Sequence, residues 1–308
     1  MAIFYPFIKN EFAKLETVVV GIANSNGQTP AIDNCYDPKS REHIAAGTYP
    51  SESSLISEID NLANELSKRG IKVIRPEQIK NYNQIFSRDI GFVVDDKFII
   101  SQMIEERSRE IEALEDFLDL LSSENVIKMV GDAFLEGGDI ILHDDDVFIG
   151  YSREEEFFNL KVARTNKAGV DFIKKNFPNK TVHAFELNKS DSDPKINALH
   201  LDCCFQPLGL GHCLIHEAGF RHQKDIDTLR DIFGHKNCIT VDAQEMYDMN
   251  ANVFSIAPDV VFSEKGFHRV NQELRTRGYE VIEISYSETA KMEGLLRCST
   301  LPIQRSKT

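Results

Sequence analysis

The chain has 308 residues, 42% hydrophobic and 27% charged, a globular balance that excludes disordered and fibrous classes and can bury a substantial core. Its 35 basic and 49 acidic side chains leave a formal charge of −14, which argues against a broad basic surface for nucleic acid or anionic membrane. The opening MAIFYPFIKNEF lacks the basic start and unbroken apolar run of a secretion signal, and no later run approaches a membrane span, so a cytoplasmic protein is expected.

Apolar periodicity switches between 2 and 3.6 along the whole chain. TVVVGI reads as a strand, SSLISEIDNLANELSKRG as a helix with Leu55, Ile59, Leu62 and Leu66 on one face and Gly70 as its stop, and IKVIRP as a strand. IGFVVDDKFIIS is a hairpin turning at Asp95 and Asp96, and EIEALEDFLDLL a helix. DIILHDDDVFIGY is a second hairpin, followed by helix KAGVDFIKKNF and strand TVHAFEL. LDCCFQPLGLGHCLIH turns around Gly209 and Gly211 ahead of helix KDIDTLRDIF and strand CITV; NVFSIAPDVVFS and RVNQELRTRGYEVIEIS complete the series. A unit of strand, hairpin, helix and strand thus recurs about five times, which implies stacked supersecondary units sharing a core. Two copies match in letters, ELSKRGIKVI (65–74) and ELRTRGYEVI (273–282).

The six cysteines (Cys35, Cys203, Cys204, Cys213, Cys238 and Cys298) include no CxxC pair, so neither a disulfide scaffold nor a zinc ribbon is indicated, and reduced thiols are expected. Cys203 and Cys204, adjacent on a strand, point to opposite faces and suit core packing better than a metal. HCLIH (212–216) has no partner pair of ligands, and HDDD (143–146) suits a solvated turn. No P-loop or dinucleotide fingerprint is present, so no cofactor and no metal are expected.

Four segments place polar residues where strands or turns would be apolar: FSRD (86–89), EGGD (136–139), HLD (200–202) and the stretch around Cys298. Each alone has an ordinary structural explanation; together they offer a thiol nucleophile, an imidazole proton carrier and several carboxylates. Strand alternation would point His200 and Asp202 to the same side. Carboxylates around a cysteine raise its pKa and weaken it. A planar cationic substrate removes that conflict, because a guanidinium held by carboxylates presents its carbon to the sulfur and favours the thiolate by its own charge.

In these motifs and their order, the chain resembles the guanidino-group modifying enzymes, or penteins, over roughly residues 15–305. That superfamily includes arginine deiminases, dimethylarginine dimethylaminohydrolases and glycine amidinotransferases. The resemblance implies an α/β fold, a five-bladed ββαβ propeller spanning residues 1–308 as one domain, with the active site in its central channel. It implies Cys298 as nucleophile, His200 as general acid and base, and Glu136 as the carboxylate near the reacting nitrogen. Asp89 and Asp202 would clamp the guanidinium, Asp139 would add a carboxylate toward the substrate, and Phe86 would pack beside it. Arg164 of ARTNKAG matches the position that meets the substrate α-carboxylate, with Arg107 and Arg109 of EERSRE as further anion-binding candidates; a solvated helix face is the plain alternative for those two.

The implied reaction is hydrolysis at the guanidino carbon of arginine or a methylated arginine through an S-amidino intermediate, giving citrulline and an amine or ammonia. An amidinotransferase using the same intermediate is the alternative, and a non-catalytic propeller that binds a ligand or protein is a second. The expected partner is a small guanidino compound, with a homo-oligomer left open. HLD favours the deiminases and transferases, whereas the absence of an extra helical block leaves no room for the inserted domain of typical arginine deiminases. Only Gly294 stands where deiminases and transferases carry a run of glycines before the cysteine.

Overall fold

The computed structural model describes residues 4–307, and among these fifteen strands form five three-stranded sheets. β1 (Leu15–Val20) runs parallel to β2 (Lys72–Ile74). The second sheet joins β3 (Gly91–Val94), β4 (Lys97–Ile100) and β5 (Val126–Lys128); the third joins β6 (Ile140–His143), β7 (Asp146–Tyr151) and β8 (Thr181–Glu186). β9 (Phe205–Pro207), β10 (Cys213–Ile215) and β11 (Cys238–Thr240) make the fourth, and β12 (Phe254–Ala257), β13 (Val260–Glu264) and β14 (Glu280–Ile284) the fifth. Finally β15 (Thr300–Arg305) returns to pair antiparallel with β1. In every sheet an antiparallel pair is followed by a parallel third strand, and in four of them the crossover carries a helix of at least nine residues. This is the expected five-bladed α/β propeller, the pentein fold, closed by its last strand.

The repeated letters are a repeated place in the fold. Residues 65–74 and 273–282 both run from a helix end through a left-handed glycine, Gly70 (φ 77°) or Gly278 (φ 96°), into the parallel third strand of a blade. Both expected acidic hairpin turns are present, with Asp95 and Asp144 at φ 51° and 57°, a conformation that aspartate tolerates better than most residues. One expected helix is different. EIEALEDFLDLL forms a 3-10 segment, Glu110–Leu114, and a single α turn, Glu115–Leu118. The Glu110 carboxylate is turned inward onto Arg107, which tightens the first turn and draws it away from a regular crossover helix.

The core lies between blades. One buried cluster joins the fourth and fifth blades to the first, a second joins the first to the second and third, and a third fills the third and fourth. β3 is buried at all four positions, which is why its sequence is a near-continuous apolar run. No helix among the described residues is long and apolar enough to cross a membrane.

A tight turn precedes the first strand of each blade after the closure. Ser87–Ile90, Gly137–Asp139 and Leu201–Cys203 are 3-10 turns ahead of β3, β6 and β9. The turns ahead of β12 and β15 are closed by Asn252 N donating to Met249 O (2.9 Å) and Thr300 N to Arg297 O (3.0 Å). These five turns are hydrogen-bonded into a circuit. Arg88 N donates to Cys298 O at 3.0 Å, Gly138 N to Asp89 Oδ1 at 3.0 Å and Leu201 N to Asp139 Oδ1 at 2.9 Å. Asn252 Nδ2 donates to Asp202 O at 3.2 Å, and Arg297 N to Asn252 O at 3.3 Å.

Leu301 sits on the closing strand and is fully buried in the cluster that joins the first three blades. Leu301→Ala is expected to lower unfolding stability by about 2–5 kcal/mol, read as an earlier midpoint in urea.

Candidate active site

The turns bring six of the sequence-predicted residues, Phe86, Asp89, Arg107, Arg164, His200 and Cys298, to one cavity of about 140 Å³, which Glu293 also lines. Local backbone explains why. The glycines of EGGD permit a close crossing of turns: a Cβ at Gly137 would lie 2.0 Å from Arg88 O, and one at Gly138 would lie 2.5 Å from His200 Nδ1. Gly294 serves Phe86 in the same way, since a Cβ there would come 2.3 Å from the phenyl ring. The single glycine before Cys298 is therefore the one on which the aromatic wall rests.

Cys298 is buried, with Asn252 Nδ2 3.2 Å from its sulfur, while its own N–H donates to Asn252 Oδ1 at 3.1 Å. Its sulfur lies 3.6 and 3.9 Å from the two Asp202 oxygens. Burial, then Asp202 and Asp89, push the thiol well above its ordinary pKa. The Asp202 carboxylate also accepts from Arg297 Nη1 at 2.9 Å, and Arg297 is bonded through two nitrogens to Glu11. Asp202 and Arg297 are fully buried beside Cys298.

Across the cavity His200 Nε2 lies 3.0 Å from Glu136 Oε2, and Nδ1 lies 3.7 Å from Asp89 Oδ1. Burial disfavours the imidazolium, but Asp89, Asp139 and Glu136 outweigh it and raise the His200 pKa. Glu136 is held the other way: burial alone would raise it, yet Arg164, His200 and Arg107 bring it down to about 2. Arg107 donates to Asp89 Oδ2 at 2.5 Å, to Phe86 O and to Glu110, and Arg164 donates to Glu136, to Lys161 O and to Tyr36 O.

Four predicted residues do not line the cavity: Glu136 and Asp202 are fully buried behind His200 and Cys298, and Arg109 and Asp139 lie farther off. Arg109 lies on the surface, paired with Glu112 and placed over the Tyr82 ring, in the turn between the 3-10 segments Glu105–Arg107 and Glu110–Leu114. Asp139 is buried beneath the wall, where its Oδ1 accepts from Leu201 N and fastens EGGD to HLD. HLD is itself a 3-10 turn and not a strand, so His200 faces Glu136 while Asp202 faces Arg297 and Cys298. Cys203 and Cys204 do enter separate hydrophobic clusters, as core packing requires.

Sequence reading missed Asn252, Arg297 and Glu11. For Asn252 the available signal was position: it precedes the first strand of its blade, as Asp89, Asp139 and Asp202 do. Possible metal-ligand atoms of Asp89, Glu136 and His200 lie within 4.8 Å of one another. Arg107 and Arg164 already deliver positive charge to those carboxylates, Arg107 Nη1 standing 3.9 Å from Glu136.

Comparison with known proteins identifies the family. Residues 26–305 match the family model for eukaryotic N,N-dimethylarginine dimethylhydrolase. The chain belongs to that family. It is 29% identical over 281 residues to the uncharacterised protein YkgA of Bacillus subtilis (strain 168), covering 86% of this chain and 90% of that one. It is 26% identical over 269 residues to the arginine deiminase of Bacillus cytotoxicus, covering 72% of this chain but only 62% of that longer enzyme. The N-terminal domain of ArgZ, an arginine dihydrolase from cyanobacteria, superimposes with a TM-score of 0.77 at 17% identity, covering 94% of this chain and 98% of that domain. These relatives place the chain among pentein proteins whose characterised members modify guanidino groups.

Glu136→Gln removes one of the negative charges that favour the His200 imidazolium, so the His200 pKa is expected to fall toward its ordinary value. The imidazole proton resonance, followed by NMR as a function of pH, would show the transition displaced to lower pH; an unmoved midpoint would contradict the coupling.

Proposed function

We propose that this protein is a cysteine-dependent hydrolase that cleaves a C–N bond at the guanidino carbon of arginine or an N-methylated arginine. One observation carries the proposal: Cys298, His200 and Asp89 face the same cavity, with the buried Asp202 carboxylate behind the sulfur. A binding module needs neither the thiol nor the proton carrier there.

In this reading Asp89 exchanges the guanidinium of Arg107 for that of the substrate, while Asp202, restrained by Arg297, presents negative charge from behind the sulfur. The thiol is disfavoured as an anion in the free protein by burial, Asp202 and Asp89. A bound guanidinium offsets the carboxylate charge, and Asn252 donates to the sulfur, so substrate binding drives the thiol proton out to solvent and leaves the thiolate. Cys298 attacks the guanidino carbon. His200 protonates the departing nitrogen as the C–N bond breaks, leaving an amidino group on sulfur. The neutral imidazole then takes a proton from water, whose oxygen attacks the same carbon; the C–S bond breaks and a ureido product leaves. Glu136 keeps the ring oriented and favours its charged form, while Arg164 is the cation available to a substrate carboxylate.

Mass spectrometry of products from arginine, monomethylarginine and asymmetric dimethylarginine, each with and without glycine or lysine, tests this directly. Citrulline formed without an acceptor is the expected result, and an amidinated acceptor with little citrulline would make the protein a transferase. Cys298→Ser should form no product above the uncatalysed rate. His200→Ala should lower kcat by about 10²–10⁴-fold, the range for loss of a general acid and base. Asp89→Asn should weaken substrate binding by about 1.5–3 kcal/mol, as expected for a lost charged hydrogen bond, and an unchanged KM and kcat would remove Asp89 from guanidinium binding.

A further inference from the structure

Cys213 and Cys238 are register partners on the parallel strands β10 and β11 of the fourth blade. Cross-strand partners project to the same face, and neighbouring strands lie about 4.7–4.9 Å apart, within the 4.4–6.8 Å range of Cα separations that disulfides span. Both thiols are free. Cys213 is fully buried, whereas Cys238 is partly exposed, with its Sγ 3.5 Å from Gly234 O.

We propose that Cys213 and Cys238 are a peroxide-oxidisable thiol pair, in which Cys238 meets the oxidant and Cys213 resolves it into a disulfide across β10 and β11. The reaction lies outside the proposed active site and does not rest on the hydrolase reading. The Cys238 thiolate attacks one oxygen of hydrogen peroxide; the O–O bond breaks, and the departing hydroxide becomes water. Sulfur is oxidised to the sulfenic acid as the peroxide is reduced by two electrons. The Cys213 sulfur then attacks the Cys238 sulfur, the S–O bond breaks, and the leaving hydroxide takes the Cys213 proton as a second water.

The other cysteines contrast with Cys238, while Cys213, its pKa raised by the hydrogen bond with Cys238 and by burial, stays a thiol until it is used. Cys203, Cys204 and Cys298 are buried thiols whose pKa values burial raises, and burial with Asp37 raises Cys35 to about 11. For Cys238 the hydrogen bond with Cys213 comes first, and with the charges of Arg230 and Arg277 it lowers the pKa despite burial and Glu217. An accessible thiol with a lowered pKa beside a second thiol is the arrangement that oxidises first.

The test exposes the full chain to increasing hydrogen peroxide, alkylates the remaining thiols and maps peptides without reduction. A Cys213–Cys238 linked peptide, appearing before the Cys298 thiol is lost and reversed by dithiothreitol, is the expected result. In Cys213→Ser the Cys238 sulfenic acid should accumulate and be trapped by a cyclic 1,3-dione; in Cys238→Ser the linked peptide should be absent and Cys213 should remain alkylatable after denaturation. Loss of the Cys298 thiol while both Cys213 and Cys238 stay reduced would overturn the proposal, as would a Cys238 disulfide to any other cysteine. The wild-type peptide map decides the matter even if a variant does not fold.

Discussion

Each blade of the propeller ends its approach to the channel in a short turn, and these turns hold one another through the circuit from Arg88 to Cys298, Asn252, Asp202, Leu201, Asp139, Gly138 and Asp89. Buried polar groups must find partners, and here the partners belong to neighbouring blades. The contacts therefore do two things: they satisfy backbone that the strands cannot satisfy, and they set the spacing of the side chains that the turns carry. Closure of β15 onto β1 completes the arrangement, because it places Cys298 two residues before a strand anchored to the start of the chain. Cys298 comes just before the last strand because that strand belongs to the first blade.

The same buried space is crowded with charge. Asp89, Glu110, Glu136, Asp202 and Glu11 are all buried, and each has an arginine within bonding distance: Arg107 for the first two, Arg164 for Glu136 and Arg297 for the last two. An unpaired buried carboxylate would be costly and would become protonated. Guanidinium groups of the protein thus occupy the carboxylates in the free state. In the proposed reading a substrate guanidinium replaces one of them, so that no buried carboxylate is left unmatched. Burial first, then Asp202 and Asp89, raise the Cys298 pKa, while Asp89, Asp139 and Glu136 raise that of His200, so Asp89 acts on both groups.

Most strands and long helices were legible in the residues, because apolar residues at period 2 or 3.6 report which side of a segment is dry. The helix Glu52–Lys68 and the hairpins at Asp95 and Asp144 lie where that pattern puts them. It failed at EIEALEDFLDLL, where an inward ion pair between Arg107 and Glu110 overrides helical spacing. It also failed at HLD, where a turn looks like a strand because its neighbours are apolar. Arg107 and Arg109 appeared equivalent in sequence, yet one is buried against Asp89 and the other is solvated against Glu112.

The sequence by itself determined the repeated unit, the identity of the chemical groups and their order along the chain, since hydrophobic spacing and residue type are local properties. Tertiary structure decided which groups meet. Asn252 reaches Cys298 across 46 positions, Asp202 reaches it across 96, and Glu11 meets Arg297 across 286. Such pairings depend on the angle at which blades pack and on the closure of the last strand. No local pattern encodes those distances, because each is the sum of contacts made throughout the circle.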